Sequence, residues 1–346
     1  ALLYCNGIAQ IRTAPMLNPA HSTRANLTVA SADKHGVVKN MALDIQRNKL
    51  SAVVETETHD GILAIVENGQ IRKLRENVTG INYVAVDWIG GNVLYTVEYP
   101  STSPGIHLCK MNGLFCKRII EGRAGVNIIQ KYRGLTVNSM MGLAAWIDVK
   151  EKGHEISVAN LDGTGVRLVV DNLSYASGWS IDSIQQMLYF SDVESRKVEK
   201  VDLASGKRTT VGTYFGRVYD LAFFNGQLYW TEWYSKTLKV VSVAAPYHGE
   251  RVAFGAQRYR STPYGIAMNH SLYQRHFLAN PCERINCPWM CVVIPLNVSD
   301  PASAIDARCI CPDEYEENED FDSSVHGSLP CKSKHSFDSD NSGLVS

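Results

Sequence analysis

The sequence contains no uninterrupted apolar run approaching the roughly 18 residues of a membrane-spanning helix. It has no excess of one charge: 34 Lys and Arg stand against 35 Asp and Glu, for a formal net charge of −1. That balance excludes the basic profile of a nucleic-acid-binding domain. There is no GxSxG, no HExxH and no phosphate-binding P-loop, so the common hydrolase, metalloprotease and nucleotide signatures are missing. The opening ALLYCNGIAQI lacks a charged leader region and a cleavage site; it reads as a strand, with any signal peptide already removed. Histidine is sparse, at 10 residues, and does not cluster.

Cysteine is the first thing present in excess. Of nine, six fall near the C-terminus: Cys282, Cys287, Cys291, Cys309, Cys311 and Cys331. An even, dense cluster of this kind is a disulfide framework. Zinc is the competing reading, but it favours CxxC paired with a second CxxC or HxxxH, and neither occurs. Five Asn-x-Ser/Thr triplets, at Asn26, Asn77, Asn172, Asn269 and Asn297, add the acceptor pattern of a secreted or cell-surface glycoprotein.

The second feature is a repeat. QLYWTEW, ending its motif at Glu232, is preceded by QMLYFSDV (Asp192), GLAAWIDV (Asp148), NVLYTVEY (Glu98), KLSAVVE (Glu55) and LLYCNG (Asn6). The gaps between these polar residues are 49, 43, 50, 44 and 40, the period of a propeller blade of four short strands. Short apolar strands run in phase with them: NMALD to Asp44, YVAVD to Asp87, GLTVN to Asn138, GWSID to Asp182, YDLAF to Phe223 and YGIAM to Met268. The chain opens on a motif copy with no inner strand before it and closes its repeats on an inner strand with no motif after it. Pairing the two ends would complete a blade and remove open sheet edges.

Tyr229-Trp230-Thr231-Glu232 resembles the YWTD signature of low-density-lipoprotein receptor class B repeats, and Tyr189-Phe190-Ser191-Asp192 is a conservative copy of it. Ala145-Trp146-Ile147-Asp148 and Tyr95-Thr96-Val97-Glu98 keep parts of it, and the inner strands resemble the family's GLAVD element. The likeness runs over about residues 1–332. It implies an all-β fold: a six-bladed propeller over 1–280, an EGF-like domain over 281–332 packed on it, and a disordered tail or linker over 333–346. It also implies a non-catalytic, extracellular, protein-binding part of a cell-surface receptor, with a divergent invertebrate member as the expectation. A nidogen-type basement-membrane adaptor and a calcium-dependent propeller hydrolase, with Asp44, Asp87, Asn138 and Asp182 converging on a channel, are the alternatives. The family's EGF pattern implies Cys282–Cys291, Cys287–Cys309 and Cys311–Cys331. No acid precedes Cys282, so no calcium is expected there, nor any cofactor.

Cys109 and Cys116 flank the hairpin signal Asn112-Gly113 and fall opposite each other in a two-residue hairpin, as a cross-strand disulfide or as two buried thiols. Cys5 is left over, as a core thiol or an intermolecular link. The motif aromatics read as core. Another aromatic set sits just before the inner strands or just after the motif strands, ends that share one face of a propeller. Tyr83, Tyr99, Tyr175, Trp179, Tyr219, Trp233 and Tyr264, with Arg133, are the candidate ligand-binding residues; several could instead plug the channel mouth. Asp313–Asp322, DEYEENEDFD, reads as a solvated acidic loop or a dock for a basic partner.

Overall fold

The computed structural model describes residues 2–5, 10–14, 27–28, 36–58, 60–68, 70–98, 101–122, 124–125, 128–129, 131–213, 215–244, 257–258, 264–270, 274, 280–285, 287–295, 305–317 and 331–334. Within these residues the chain is an all-β propeller followed by a disulfide-rich C-terminal region. Continuous chain builds five blades, one fewer than the motif count gives. Each blade is an antiparallel four-stranded sheet in chain order. Their inner strands are Val37–Asp44, Ile81–Asp87, Lys131–Asn138, Ala176–Asp182 and Val218–Phe224. The next strands outward, Lys49–Glu55, Asn92–Val97, Leu143–Lys150, Met187–Asp192 and Gln227–Glu232, carry the repeated motif.

A further four-stranded sheet draws on both ends of the chain. Ile266–Met268 is its inner strand, and Leu2–Cys5 lies beside it, with Leu2 opposite Met268 and Tyr4 opposite Ile266. Gln10–Ala14 and Leu27–Thr28 extend it outward. Ile266–Met268 touches the inner strands of the fifth and the first blades. The inner strands of the five blades and Ile266–Met268 line a narrow channel of about 110 Å³.

Adjacent blades share no backbone ladder, so side chains must satisfy the facing amides. Asn40 Oδ1 accepts from the Val84 amide at 2.9 Å, and Ser180 Oγ from that of Phe223 at 2.8 Å. Asp220 Oδ2 accepts from the Ile266 amide at 3.0 Å. Between these stitches the motif aromatics fill the wedges. Tyr189 stacks on Phe223 of the next blade, and Trp230 packs on Phe215. Tyr189, Phe190, Tyr229 and Trp230 are all buried, as alternation on a two-faced blade requires.

The C-terminal region holds a short helix, Pro281–Ile285, and two hairpins, Met290–Pro295 with Ile305–Ile310 and Tyr315–Glu317 with Cys331–Ser333. Its bridges join Cys282 to Cys291, Cys287 to Cys309, and Cys311 to Cys331; Cys109 is bridged to Cys116 in the second blade. The region seats on the turns that follow the inner strands of blades two and three. Asn92 Nδ2 donates to the Cys291 carbonyl at 2.6 Å, Lys110 Nζ to that of Trp289 at 2.7 Å, and Arg308 pairs with Asp162 at 3.0 Å. Met290, Val292 and Ile310 are buried against the third blade's core. Close approach demands glycine here: a Cβ on Gly90 would lie 2.2 Å from the Cys291 carbonyl oxygen.

Candidate ligand-binding face

The acids and Asn that end the inner strands do not converge on a reaction site. Asp44 accepts from the Arg47 amide and guanidinium, Asp182 from the Ile184 and Gln185 amides, and Asn138 Oδ1 from the Met141 amide. Asp87 accepts from Asn92 Nδ2 at 2.8 Å, and burial pushes its carboxyl above the usual range. Each holds the turn into its own motif strand. The motif acids are similarly occupied: Glu98 takes the Tyr132 amide at 2.7 Å, Asp192 the Tyr175 amide at 3.0 Å, and Glu232 pairs with Lys239 at 2.5 Å.

At the opposite end from the C-terminal region the channel opens into a mouth of about 390 Å³. A local irregularity in the inner strands builds it. The pairing of inner and motif strands slips at the same place in every continuous blade: between Val38 and Asn40, Ile81 and Val84, Tyr132 and Leu135, Ser177 and Trp179, and Val218 and Asp220. A bulge re-aims the side chain it carries. The bulged positions include Lys39, Tyr83, Arg133 and Tyr219, and all four line the mouth. In the fourth blade the bulge falls on Gly178, at φ +54°, which brings no side chain.

Six of the eight residues expected on the ligand face meet here: Tyr83, Arg133, Tyr175, Tyr219, Trp233 and Tyr264. Tyr219 sits edge-on to Tyr264 at 5.1 Å between centroids, with Trp233 at 6.3 Å from Tyr219. The Arg133 guanidinium lies 4.4 Å from the Tyr175 ring centre and donates to its hydroxyl. Trp233 is 48% exposed and its neighbour Tyr234, stacked beside it, 71%. Burial raises the Tyr83 hydroxyl pKa, so it stays protonated at neutral pH.

Trp179 is a correction. It was expected on a loop at the face but lies within the inner strand at 7% exposure, lining the channel below the mouth. The cause is local: after the bulge at Gly178 the strand turns Trp179 inward, and its indole covers Gly134, where a Cβ would come within 2.5 Å of the ring. Tyr132 and Phe215, two further aromatics at the approach to inner strands, are buried, Tyr132 beside the mouth. Tyr99, Cys5's side chain, Asn26, Asn297, most of the acidic run after Glu317 and most of the tail lie outside the described residues. Asn77, Asn172 and Asn269 are exposed, the first two at the ends of outer strands with φ +55° and +53°. Lys39 and Lys131 also line the mouth and were missed; their signal was position alone, since they precede the inner strands as the aromatics do.

The chain is 28% identical over 187 residues to the vitellogenin receptor Yl of Drosophila melanogaster, covering 54% of the chain and 9% of that protein. It is 25% identical over 235 residues to the vitellogenin receptor of Solenopsis invicta, covering 66% of the chain and 12% of that protein. A human low-density lipoprotein receptor-related protein 5-like protein is 25% identical over 160 residues, 46% of the chain and 60% of that protein. The chain is homologous to receptors of the low-density-lipoprotein receptor family. It spans only about a tenth of the two vitellogenin receptors. No protein-family model matches it. Among solved structures, the nidogen/laminin complex aligns with a TM-score of 0.64 at 17% identity, over 77% of this chain and 97% of that one. TolB of Acinetobacter baumannii aligns at 0.58 and 11% identity, over 77% of this chain and 65% of that one. At those identities the likeness is one of fold, and the receptor-family relation rests on the sequence relatives.

Proposed function

We propose that the chain is an extracellular, non-catalytic protein-binding module from a cell-surface receptor of the low-density-lipoprotein receptor family, and that the mouth is its ligand site. The carrying observation is the mouth itself. Aromatic and cationic side chains, four of them set there by bulges in successive inner strands, surround a concave opening. Such anchors suit a protein hot spot: large rings bury much area at little cost in rotamer freedom. Radial blades leave only short, protected outer edges for a partner, which favours a face. In this reading the two-ended sheet is the sixth blade, residues 1–280 are the propeller, 281–332 an EGF-like domain and 333–346 a linker. The relatives named for vitellogenin make yolk protein a first ligand to try.

A nidogen-type matrix role is the second reading, favoured by the fold neighbour taken from a laminin complex. A calcium-dependent hydrolase is weakly supported. Its fold neighbour regucalcin has a TM-score of 0.50 at 11% identity, and the inner-strand acids are spent on turns.

The test is capture of extracellular proteins by the immobilised chain and by its Trp233→Ala variant. Truncating a hot spot costs about 2 kcal/mol or more, roughly a thirtyfold loss. Ligands that bind both proteins equally would place the site elsewhere.

A further inference from the structure

The mouth is lopsided in charge, although the chain as a whole is balanced at −1. Lys39, Lys131, Arg133 and Arg217 line it, against the single lining carboxylate of Glu98. That carboxylate is already engaged by the Tyr132 amide. Of the four, Lys39 makes a close ion pair among the described residues, with Glu55 at 2.6 Å, while Lys131 and Arg133 share the more distant charge of Glu98. Arg133 rests on the Tyr175 ring, and its Nε has no hydrogen-bond partner among those residues. Arg217 rests on the Tyr234 ring at 5.1 Å. Held on aromatic faces, Arg217 keeps its fork of donors for an oxygen acceptor supplied from outside, and Arg133, with one Nη given to the Tyr175 hydroxyl, keeps the other. Beside them the Tyr219, Trp233 and Tyr264 rings offer apolar surface.

We propose that this mouth receives an acidic peptide segment, its carboxylates taken by Arg133 and Arg217 and an apolar neighbour seated on the Tyr219, Trp233 and Tyr264 rings. The assignment rests on the reading of the mouth as the ligand site and names the chemistry of what enters it. A mouth of about 390 Å³ is near the lower end of the ~300–1,000 Å³ range of ligand clefts, and suits a loop tip more than a folded surface. A sulfated polysaccharide shares the negative charge. It would leave the ring cluster unused and prefers an open track of cations to a concave opening, so the peptide is the better fit.

The experiment presents a random library of disulfide-cyclised peptides to the intact chain at neutral pH, after depletion on the Trp233→Ala variant. The expected survivors combine Asp or Glu with an apolar neighbour. Their affinity should fall about tenfold or more with Arg133→Gln or Arg217→Gln, the loss of one charge-assisted hydrogen bond. Arg217→Lys should recover part of it, and binding should weaken as salt rises. Arg217 is exposed, so its variants report even if changes at Arg133 disturb packing on Tyr175. Survivors that are neutral or basic, or that bind Arg217→Gln undiminished, would overturn the acidic-peptide assignment while leaving the site in place. A heparin oligosaccharide bound with the same arginine dependence, with no peptide enriched, would replace the peptide by a glycan. If the chain binds neither, with or without Trp233, the ligand-site reading itself falls.

Discussion

Asp220→Asn should make the protein more stable at neutral pH and less stable in acid. Asp220 is 9% exposed, at the seam between the fifth blade and the two-ended sheet. One oxygen takes the Ile266 amide at 3.0 Å and the other the Leu221 amide at 2.9 Å. Burial outweighs those bonds and pushes its carboxyl pKa up to about 7 from an ordinary 3.8. A folded-state pKa above the unfolded one means that the folded protein binds the proton more tightly. Below about pH 4 the group is protonated in both states and costs nothing. Between about pH 4 and 7 the burial cost grows, and above pH 7 it is fully present. Three pKa units correspond to about 4 kcal/mol. Asn keeps an oxygen for Ile266 but turns an NH2 toward the Leu221 amide, a mismatch of about 2 kcal/mol at every pH, so a net gain of about 2 kcal/mol is expected at pH 7.4 and a net loss of about the same size in acid. In a chain of this size the neutral-pH gain is a rise in Tm of about 3 °C. Melting both proteins from pH 4.5 to 7.5 isolates this residue, because every other carboxylate titrates in both. Curves that cross as pH rises support the seam as drawn. A variant less stable than wild type by the same amount at every pH would show that the carboxylate is needed as an ion, and would refute the argument.

Removing residues 1–12 deletes the strand opposite Ile266–Met268 and exposes two sheet edges; the shortened chain should aggregate or melt much earlier, and a monomer with unchanged melting would refute ring closure by the two ends. Replacing Cys109 and Cys116 by Ser opens a short loop, and the chain-entropy argument gives a loss of about 2 kcal/mol, read as a lower urea midpoint. Gly90→Ala should push the C-terminal region off the second blade, seen as faster proteolysis between residues 269 and 280; unchanged cleavage would mean that the docking contact at Cys291 is dispensable.

Much of the propeller was legible because its period is written in large residues and acids. Tyr229, Trp230 and Glu232 mark a strand that is buried on both faces and ends in a hydrogen-bonded acid, a pattern few other structures need. The complementary chain ends were legible for the same reason. The mouth was legible as a set of positions but not in its depth. Trp179 and Tyr219 both precede an inner-strand core, yet one turns inward and the other lines the opening. The bulge decides which: Tyr219 sits on it and Trp179 one residue past it, a distinction set by pairing with the neighbouring strand, which a local reading does not see. Gly178 was the available clue, since it takes the bulged position at φ +54° and leaves Trp179 the next one. The cations escaped notice because Lys39 and Lys131 carry no signal of their own; only the ring brings them beside Arg133 and Arg217.

The claim that the mouth binds a protein ligand is tested most directly by backbone hydrogen exchange of the chain with and without a captured extracellular ligand. Protection should appear at 131–133, 175–177, 217–219 and 233–234, the segments that frame the mouth, and should be absent from the turns 182–187 and 224–227 at the other end of the blades. Protection confined to those turns, with the mouth segments unchanged, would contradict the account.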